Sequence, residues 1–378
     1  MTEERTSANA LSAARRIVVK VGSSLLVNDD LSLNTQWLAS VADDVAALRG
    51  RGAEIVIVTS GAVALGRKQL GLKGTLRLDQ SQAASAAGQT LLINGWGAAF
   101  GGYELSVAQI LLTLADTENR RRYVNARATI GALLDLGVIP VVNENDTVAT
   151  NEIRYGDNDR LAAHAAQLAA ADALLILSDI DGLYSGNPQS DDRARHIPVV
   201  ESITADIEAM AEGPNKTASV GSGGMVTKIA AARIAGASGC ATIIAPGRGE
   251  RPIKALMDGG RSTLFLPAAD KEAARKTWIR NLQKPAGSLG VDAGAVAALE
   301  KGASLLPAGV KSVDGVFERG DVIEVVGPDD AVLGRGLSAY DVQDMRLIAG
   351  KRSDAVREIL GVRRRAAAID RDNLVLNK

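Results

Sequence analysis

Along the first 266 residues, short unbroken runs of β-branched and aliphatic residues alternate with longer stretches whose apolar positions recur at helical spacing. Unbroken runs of about four to eight such residues suit strands buried on both faces, and their alternation with helices suits a parallel sheet. The predicted strands are Arg16-Val21, Glu54-Thr59, Ser106-Thr113, Val138-Asn143, Ala173-Ser178 and Ala241-Ala245. The predicted helices run approximately through Asn34 to Leu48, Asp79 to Phe100, Glu118 to Leu136, Arg160 to Ala170 and Gly224 to Ala235; their alanines allow close packing on a sheet. The fold class is therefore α/β, a mostly parallel sheet with helices on both faces.

Beyond Leu266 the pattern changes. Pro267, the charged segment Asp270 to Lys276 and then Lys284-Pro285-Ala286-Gly287 predict a linker over 267–284 leading into a second module. Short alternating runs follow at Ala303-Leu306, Gly315-Phe317, Val322-Val326 and Val332-Gly336, separated by Gly, Pro and Asp turns, which predicts a small β-rich domain over 285–365. Residues 1–14 read as a flexible N-terminus, 15–266 as the larger domain and 366–378 as a C-terminal tail. A length of 378 residues agrees with two domains.

Charge and composition narrow the function. Lys+Arg 43 against Asp+Glu 44 gives a net charge of -1, which provides no global attraction for a polyanion or an acidic membrane surface, so anion binding has to be local. The stretch closest to a membrane span, Leu161 to Leu177, is interrupted by His164, Gln167 and Asp172, and no membrane association is predicted. One cysteine, Cys240, and two histidines, His164 and His196, cannot build a zinc site, and no set of metal-ligating side chains is predicted. Single-cysteine usage suits a reducing, cytoplasmic location.

The signatures of P-loop proteins, dinucleotide-binding proteins and protein kinases are missing from the sequence. Instead, polar and Gly-rich clusters stand directly after the predicted strands, where open α/β sheets bind ligands. Lys20-Val21-Gly22-Ser23-Ser24 puts a lysine in an apolar strand ahead of a small-residue turn; an anion or a snorkelling edge position explains it. Thr59-Ser60-Gly61-Ala62 lets backbone N–H groups approach a ligand, or simply turns the chain from strand to helix. Asn143-Glu144-Asn145-Asp146 and Gly156-Asp157-Asn158-Asp159 place more carboxylates beside a buried strand than a turn requires. They suit a substrate ammonium, the orientation of a lysine, or magnesium met through water. Gly221-Ser222-Gly223-Gly224-Met225-Val226-Thr227-Lys228 is a Gly-rich loop running into a helix. Its backbone N–H groups, helix dipole and lysine together suit phosphate.

These residues resemble the amino-acid kinase family and, within it, the glutamate 5-kinases that carry a C-terminal PUA domain. The resemblance is carried by Val19 to Ser24, Ile55 to Ala62, Pro140 to Asp146 (PVVNEND), the GDND at Gly156 to Asp159, Ser178-Asp179 with Gly182-Leu183-Tyr184, and SGGMVTK from Ser222. In the second module it is carried by Lys301 to Pro307 and Arg346 to Gly350. It implies a three-layer α/β/α sandwich with a small PUA-like pseudobarrel. It also implies transfer of the ATP γ-phosphoryl group to the γ-carboxylate of L-glutamate, with Mg2+, as the first step of proline biosynthesis. By the same resemblance Lys20 and Lys228 compensate transition-state charge and Asp159 positions both. Ser60 and Gly61 would lie beside the substrate carboxylate, and Asp146 and Asn158 would hold the glutamate head group. Lys20, Ser178, Asp179, Ser222, Gly223, Gly224, Met225, Val226, Thr227 and Lys228 would line the ATP site. Feedback inhibition by L-proline and a homo-oligomer, dimer or tetramer, are implied too. Ser178-Asp179-Ile180-Asp181 departs from the Thr-Asp-Gln-Lys of some relatives, which leaves the nucleotide site near Asp181 open.

The chemistry agrees with the resemblance. A carboxylate attacks without a general base, so a catalytic histidine is not required; phosphoryl transfer needs charge compensation instead. Kinases for aspartate or N-acetylglutamate are the enzymatic alternative, and an Asp146 carboxylate facing the head group favours a free ammonium over an acetylated nitrogen. PUA domains elsewhere bind structured RNA. Here residues 285–365 carry 11 basic and 12 acidic residues, with Phe317 and Tyr340 the only aromatics, a poor footprint for nucleic acid. Arg363-Arg364-Arg365 reads as a solvated run.

Overall fold

The computed structural model describes residues 5–148, 158–188, 191–211, 224–268, 285–360 and 367–377. They fall into two compact units, Met1–Glu118 with Asn125–Lys271, and Asn119–Val124 with Glu272–Lys378. In chain order the first elements are α1 (Ser7–Ala13), β1 (Arg16–Val21), α2 (Ser23–Leu26), α3 (Thr35–Gly50), β2 (Glu54–Val58), α4 (Ala62–Gln69), α5 (Leu78–Gly101), β3 (Val107–Leu112), α6 (Leu114–Glu118), α7 (Arg120–Asp135) and β4 (Ile139–Glu144). Then follow α8 (Asn158–Ala169), β5 (Ala173–Ser178), β6 (Leu183–Tyr184), β7 (His196–Ile197), β8 (Val199–Val200), α9 (Ala205–Ala211), α10 (Met225–Gly236), β9 (Ala241–Pro246), α11 (Pro252–Met257) and β10 (Thr263–Phe265).

Eight strands form one sheet in the order β3-β4-β2-β1-β5-β9-β10-β8. All of its pairings are parallel except β10 with β9. The central strands β1, β2, β4 and β5 are buried along nearly their whole length because both faces are covered, which is why their sequences show no polar alternation. Strand order runs in opposite directions on the two sides of β1, whose neighbours are β2 and β5. The carboxyl ends of these three strands therefore flank a crevice suited to a ligand.

The structure differs from the sequence expectations at several points. Residues 7–13, inside the segment read as flexible, form a helix capped by Thr6, with Leu11 fully buried in the core. The strand β10, three residues long, is too short to show any period and returns antiparallel to β9. The predicted helix from Glu118 to Leu136 is α7, and the short helix α6, which the sequence did not suggest, precedes it.

One contact between helices is set by glycine. A Cβ at Gly66 of α4 would lie 1.7 Å from the Ala84 carbonyl oxygen of α5, and one at Gly88 of α5 would lie 1.8 Å from the Ala62 carbonyl oxygen. The two backbones thus touch where a side chain would stand. Gly88→Ala gains roughly 1 kcal/mol of helix propensity, but overpacking against backbone costs about 3 kcal/mol and dominates. Lowered urea midpoints for Gly66→Ala and Gly88→Ala are the expected result; unchanged midpoints would show that α4 and α5 separate without cost.

The second unit contains β11 (Gly287–Val291), α12 (Ala293–Glu300), β12 (Val310–Gly315), β13 (Val322–Val326), β14 (Val332–Leu337), α13 (Val342–Ile348), α14 (Ser353–Leu360) and β15 (Leu374–Leu376). Its five-stranded sheet has the order β12-β11-β13-β14-β15, with β11 and β13 parallel and the other pairs antiparallel. Leu289, Phe317, Ile323, Val325, Tyr340 and Ile369 are among its core residues. Ala303 to Leu306 is not a strand: Leu305 alone bridges Ile369 before Pro307 opens a helical turn. The segment read as a tail supplies β15, because Leu374 and Val375 are buried and pair with Gly336 and Arg335. Most of the expected linker, 269–284, and Arg363-Arg364-Arg365 lie outside the described residues.

Candidate active site

Three elements bring their charges together at the carboxyl end of the large sheet. Lys20 lies near the end of β1, between Val58 of β2 and Ile176 of β5 in the pairing register. Asp159 stands in the first turn of α8 and Lys228 in the first turn of α10. Lys20 Nζ is 2.7 Å from Asp159 Oδ1, and Lys228 Nζ is 3.4 Å from Asp159 Oδ2. Thr227 Oγ1 lies 2.8 Å from the same Oδ2 and 2.8 Å from the Gly224 carbonyl oxygen, to either of which it donates.

The electrostatics of this cluster define its use. Asp159 is fully buried, and Lys20 and Lys228 are 8% and 4% exposed. Burial pushes the Asp159 carboxyl up, but Lys20, Lys228 and the hydrogen bonds outweigh it and hold the group below its ordinary value. Burial pulls the Lys228 ammonium down, Asp159 pulls it back up, and Lys20 adds to the lowering. Among the described residues two buried ammonium groups share the buried carboxylate of Asp159, in a place nearly closed to water. Ammonium groups gathered in this way suit an anion, and oxygen atoms of a transferring phosphoryl group are suitable anions.

Beside this cluster β2 ends in Thr59 and Ser60, both buried. Gly61 follows with φ +94°, a conformation that lets the chain turn at once into α4, and a Cβ there would meet Val27 at 2.9 Å. Asn158, at the start of α8, donates through Nδ2 to Ser60 Oγ (2.6 Å) and to the Thr59 carbonyl oxygen (3.2 Å). The chain neighbour of Asp159 thereby ties α8 to the end of β2. Trp96 Nε1 of α5 donates to Thr59 Oγ1 at 3.1 Å, bracing the same turn from the other side.

Asp146 follows β4 and is 7% exposed. Burial raises its carboxyl above the usual range, and a hydrogen bond from Ser85 Oγ of α5, at 2.5 Å, opposes the rise. At the end of β5, Ser178 is buried and its hydroxyl donates to exposed Asp179 at 3.1 Å. Asp179 is close enough to raise the Lys228 ammonium. Gly224 caps α10 without a side-chain hydrogen bond, and the dipole of the helix suits phosphate.

Residues 15–246 match the amino acid kinase family and residues 287–360 the PUA domain. A glutamate 5-kinase of Paramagnetospirillum magneticum is 53% identical over 97% of this chain and 99% of that protein. A glutamate 5-kinase of Bradyrhizobium sp. is 55% identical over 96% of each chain, and one of Nitrobacter hamburgensis 54% identical over 96% of each. The chain belongs to the glutamate 5-kinase family.

Not every residue that the family resemblance assigns to the ATP site faces the lysines. Met225 packs into an apolar cluster with Leu183, Ile229 and Phe265. Val226 lines a cavity of about 490 Å³ together with Arg160, His164, Glu208 and Arg233. Thr227 turns its hydroxyl to Asp159. The helical phase of α10 sends these side chains in different directions, and Lys228 alone of the four brings a cation to Asp159. Gly156, Asp157, Ser222 and Gly223 lie outside the described residues. Asp181, where this chain departs from some relatives, is engaged locally: Tyr184 Oη donates to it at 2.9 Å and Arg261 pairs with it at 3.2 Å. Ile180 packs on the apolar cluster that holds Met225. Ser85 and Trp96 were not recognisable in the sequence, since a Ser in an Ala-rich helix and a Trp in an apolar face look like ordinary packing.

Proposed function

We propose that this chain transfers the γ-phosphoryl group of ATP to the γ-carboxylate of L-glutamate, giving L-glutamyl 5-phosphate, the first step of proline biosynthesis. The observation that carries this reading is the buried Lys20-Asp159-Lys228 cluster, in which one carboxylate holds two ammonium groups. Identity above 50% to glutamate 5-kinases over nearly the full length supports it. The acceptor carboxylate is ionised at neutral pH and attacks the γ-phosphorus in line while the bond to the β,γ-bridging oxygen breaks, so ADP leaves and an acyl phosphate forms. No proton has to be removed, which suits a site whose carboxylate nearest the two lysines, Asp159, is already paired with both.

In this reading Lys20 and Lys228 receive the charge that spreads over the phosphoryl oxygens, and Asp159 positions both ammoniums. Ser60 and Gly61 lie beside the acceptor carboxylate, with Asn158 fixing the Ser60 hydroxyl. Asp146 takes the substrate ammonium. The first turn of α10 and the buried Ser178 border the triphosphate. The donor set fits a nucleotide bound with magnesium: ammoniums and backbone N–H groups suit phosphate oxygens. Among the described residues no cluster of three or more His, Cys, Asp or Glu could hold a metal alone. Magnesium would be held by the phosphates and water, with exposed Asp179 the carboxylate suited to a water-mediated contact.

The proposal includes feedback inhibition by L-proline, a homo-oligomeric assembly and a cytoplasmic location, all supported by the family resemblance. Among the described residues no helix is long and apolar enough to cross a membrane. For the PUA-like domain over 285–365 we favour a regulatory or structural role over RNA binding, on its near-neutral charge and its two aromatics, Phe317 and Tyr340, both buried.

Trapping with hydroxylamine tests the reaction directly. ATP- and magnesium-dependent hydroxamate should form with L-glutamate, not with L-aspartate or N-acetyl-L-glutamate, and added L-proline should suppress it. Product with another acid in place of glutamate would overturn the assignment.

A further inference from the structure

Ser85 is an unusual residue for its place. It sits in the middle of α5 between Ala84 and Ala86, in a stretch where Ala or Gly suffices for packing, and it is 1% exposed. A buried helical serine ordinarily returns its hydroxyl to a carbonyl oxygen one turn back. Here Oγ instead lies 2.5 Å from Asp146 Oδ2, a side chain 61 residues further along the chain. Asp146 resembles Asp159 in burial but not in company: the two influences on its ionisation among the described residues are burial, which raises it, and the Ser85 hydroxyl, which lowers it. The charged groups on the elements around it are Asp79 at the start of α5, Glu144 at the end of β4, and Asp159 and Arg160 at the start of α8. Asp79 pairs with Arg77, and Asp159 with Lys20 and Lys228. A buried carboxylate with a hydroxyl donor and, among the described residues, no cation paired with it is prepared for a cation from outside.

We propose that Ser85 is a positioning residue that fixes substrate specificity. Its hydroxyl orients Asp146 by donating to Oδ2, leaving the second oxygen to the ammonium of an α-amino acid. This rests on the reading that Asp146 faces the substrate head group. The hydrogen bond to a charged group is expected to matter by about 10-fold.

The test uses the full chain with Ser85→Ala and, as a control on the underlying reading, Asp146→Ala. For Ser85→Ala the KM for glutamate should rise about 10-fold, with kcat, the KM for ATP and the melting temperature little changed. The preference for glutamate over glutarate, which lacks the ammonium, should narrow. The acidic limb of kcat/KM for glutamate should move to higher pH, because loss of the donor lets burial raise Asp146 further. If Asp146→Ala raises the glutamate KM while Ser85→Ala leaves it and the pH limb unmoved, the positioning role is wrong and the head-group reading stands. If Ser85→Ala instead weakens glutamate and ATP alike and lowers the melting temperature, the serine serves packing only. An unchanged glutamate KM in Asp146→Ala would sink the head-group reading itself.

Discussion

Lys228→Ala should lower kcat by about 100- to 1,000-fold, the usual loss when one preorganised donor to transition-state charge is removed. The KM for glutamate should change little, because the lysine is asked to interact with the phosphoryl oxygens as charge spreads, and not with the amino-acid head group. The fold should survive the substitution: Asp159 keeps Lys20 at 2.7 Å, the shorter of its two ion pairs, and the hydroxyl of Thr227. Turnover measured by single-turnover acyl-phosphate formation, with a thermal melt as control, separates the chemical effect from damage to the fold. Near-normal turnover would remove Lys228 from the mechanism.

Asp159→Asn should affect both stability and catalysis. It leaves two ammoniums buried with no carboxylate between them, and breaking a buried pair in this way costs about 3–5 kcal/mol. In the native protein the Asp159 carboxyl lies below its ordinary value, so its stabilising contribution is fully present above about pH 4 and is lost as pH falls through the folded value. The Asn variant should lack that acid-side component in a series of urea titrations against pH. Its kinetic signature lies at the other end of the scale. Asp159 raises the Lys228 ammonium against burial, so removing it lets Lys228 lose its proton at lower pH. The alkaline limb of kcat should therefore move downward. A variant of native stability with an unmoved alkaline limb would show that Asp159 neither balances nor orients the two lysines.

The same physics explains what could be read in advance. Strands β1, β5 and β13 coincide with the runs Arg16-Val21, Ala173-Ser178 and Val322-Val326, because burial on both faces or tight cross-strand pairing demands an unbroken apolar run, and polar or small residues mark where it ends. Strands of two or three residues, such as β8 and β10, have no room for a period and acquire their conformation only from the neighbour they pair with. The helix α1 and the strand β15 were hidden for a similar reason: a seven-residue segment with one leucine, or an apolar run of three residues, is too short to show a period and becomes ordered only when Leu11, or Leu374 and Val375, finds a core to enter.

By itself, then, the sequence determined the alternation of strands and helices, the change of architecture after Leu266, and the identity of the chemical groups at the strand ends: Lys20, Asp146, Asp159 and Lys228. Each follows from local composition, since apolar runs must be buried and a lysine or a pair of carboxylates beside such a run is too costly to be there without a use. Only the tertiary structure decided which of these groups meet. It joined β1, α8 and α10 into one buried ion cluster, gave Asp146 a serine in place of a lysine, and turned Met225 and Val226 away from the charges. Those outcomes depend on helix phase and on distances between residues far apart in the chain, and neither is a property of any short stretch of sequence.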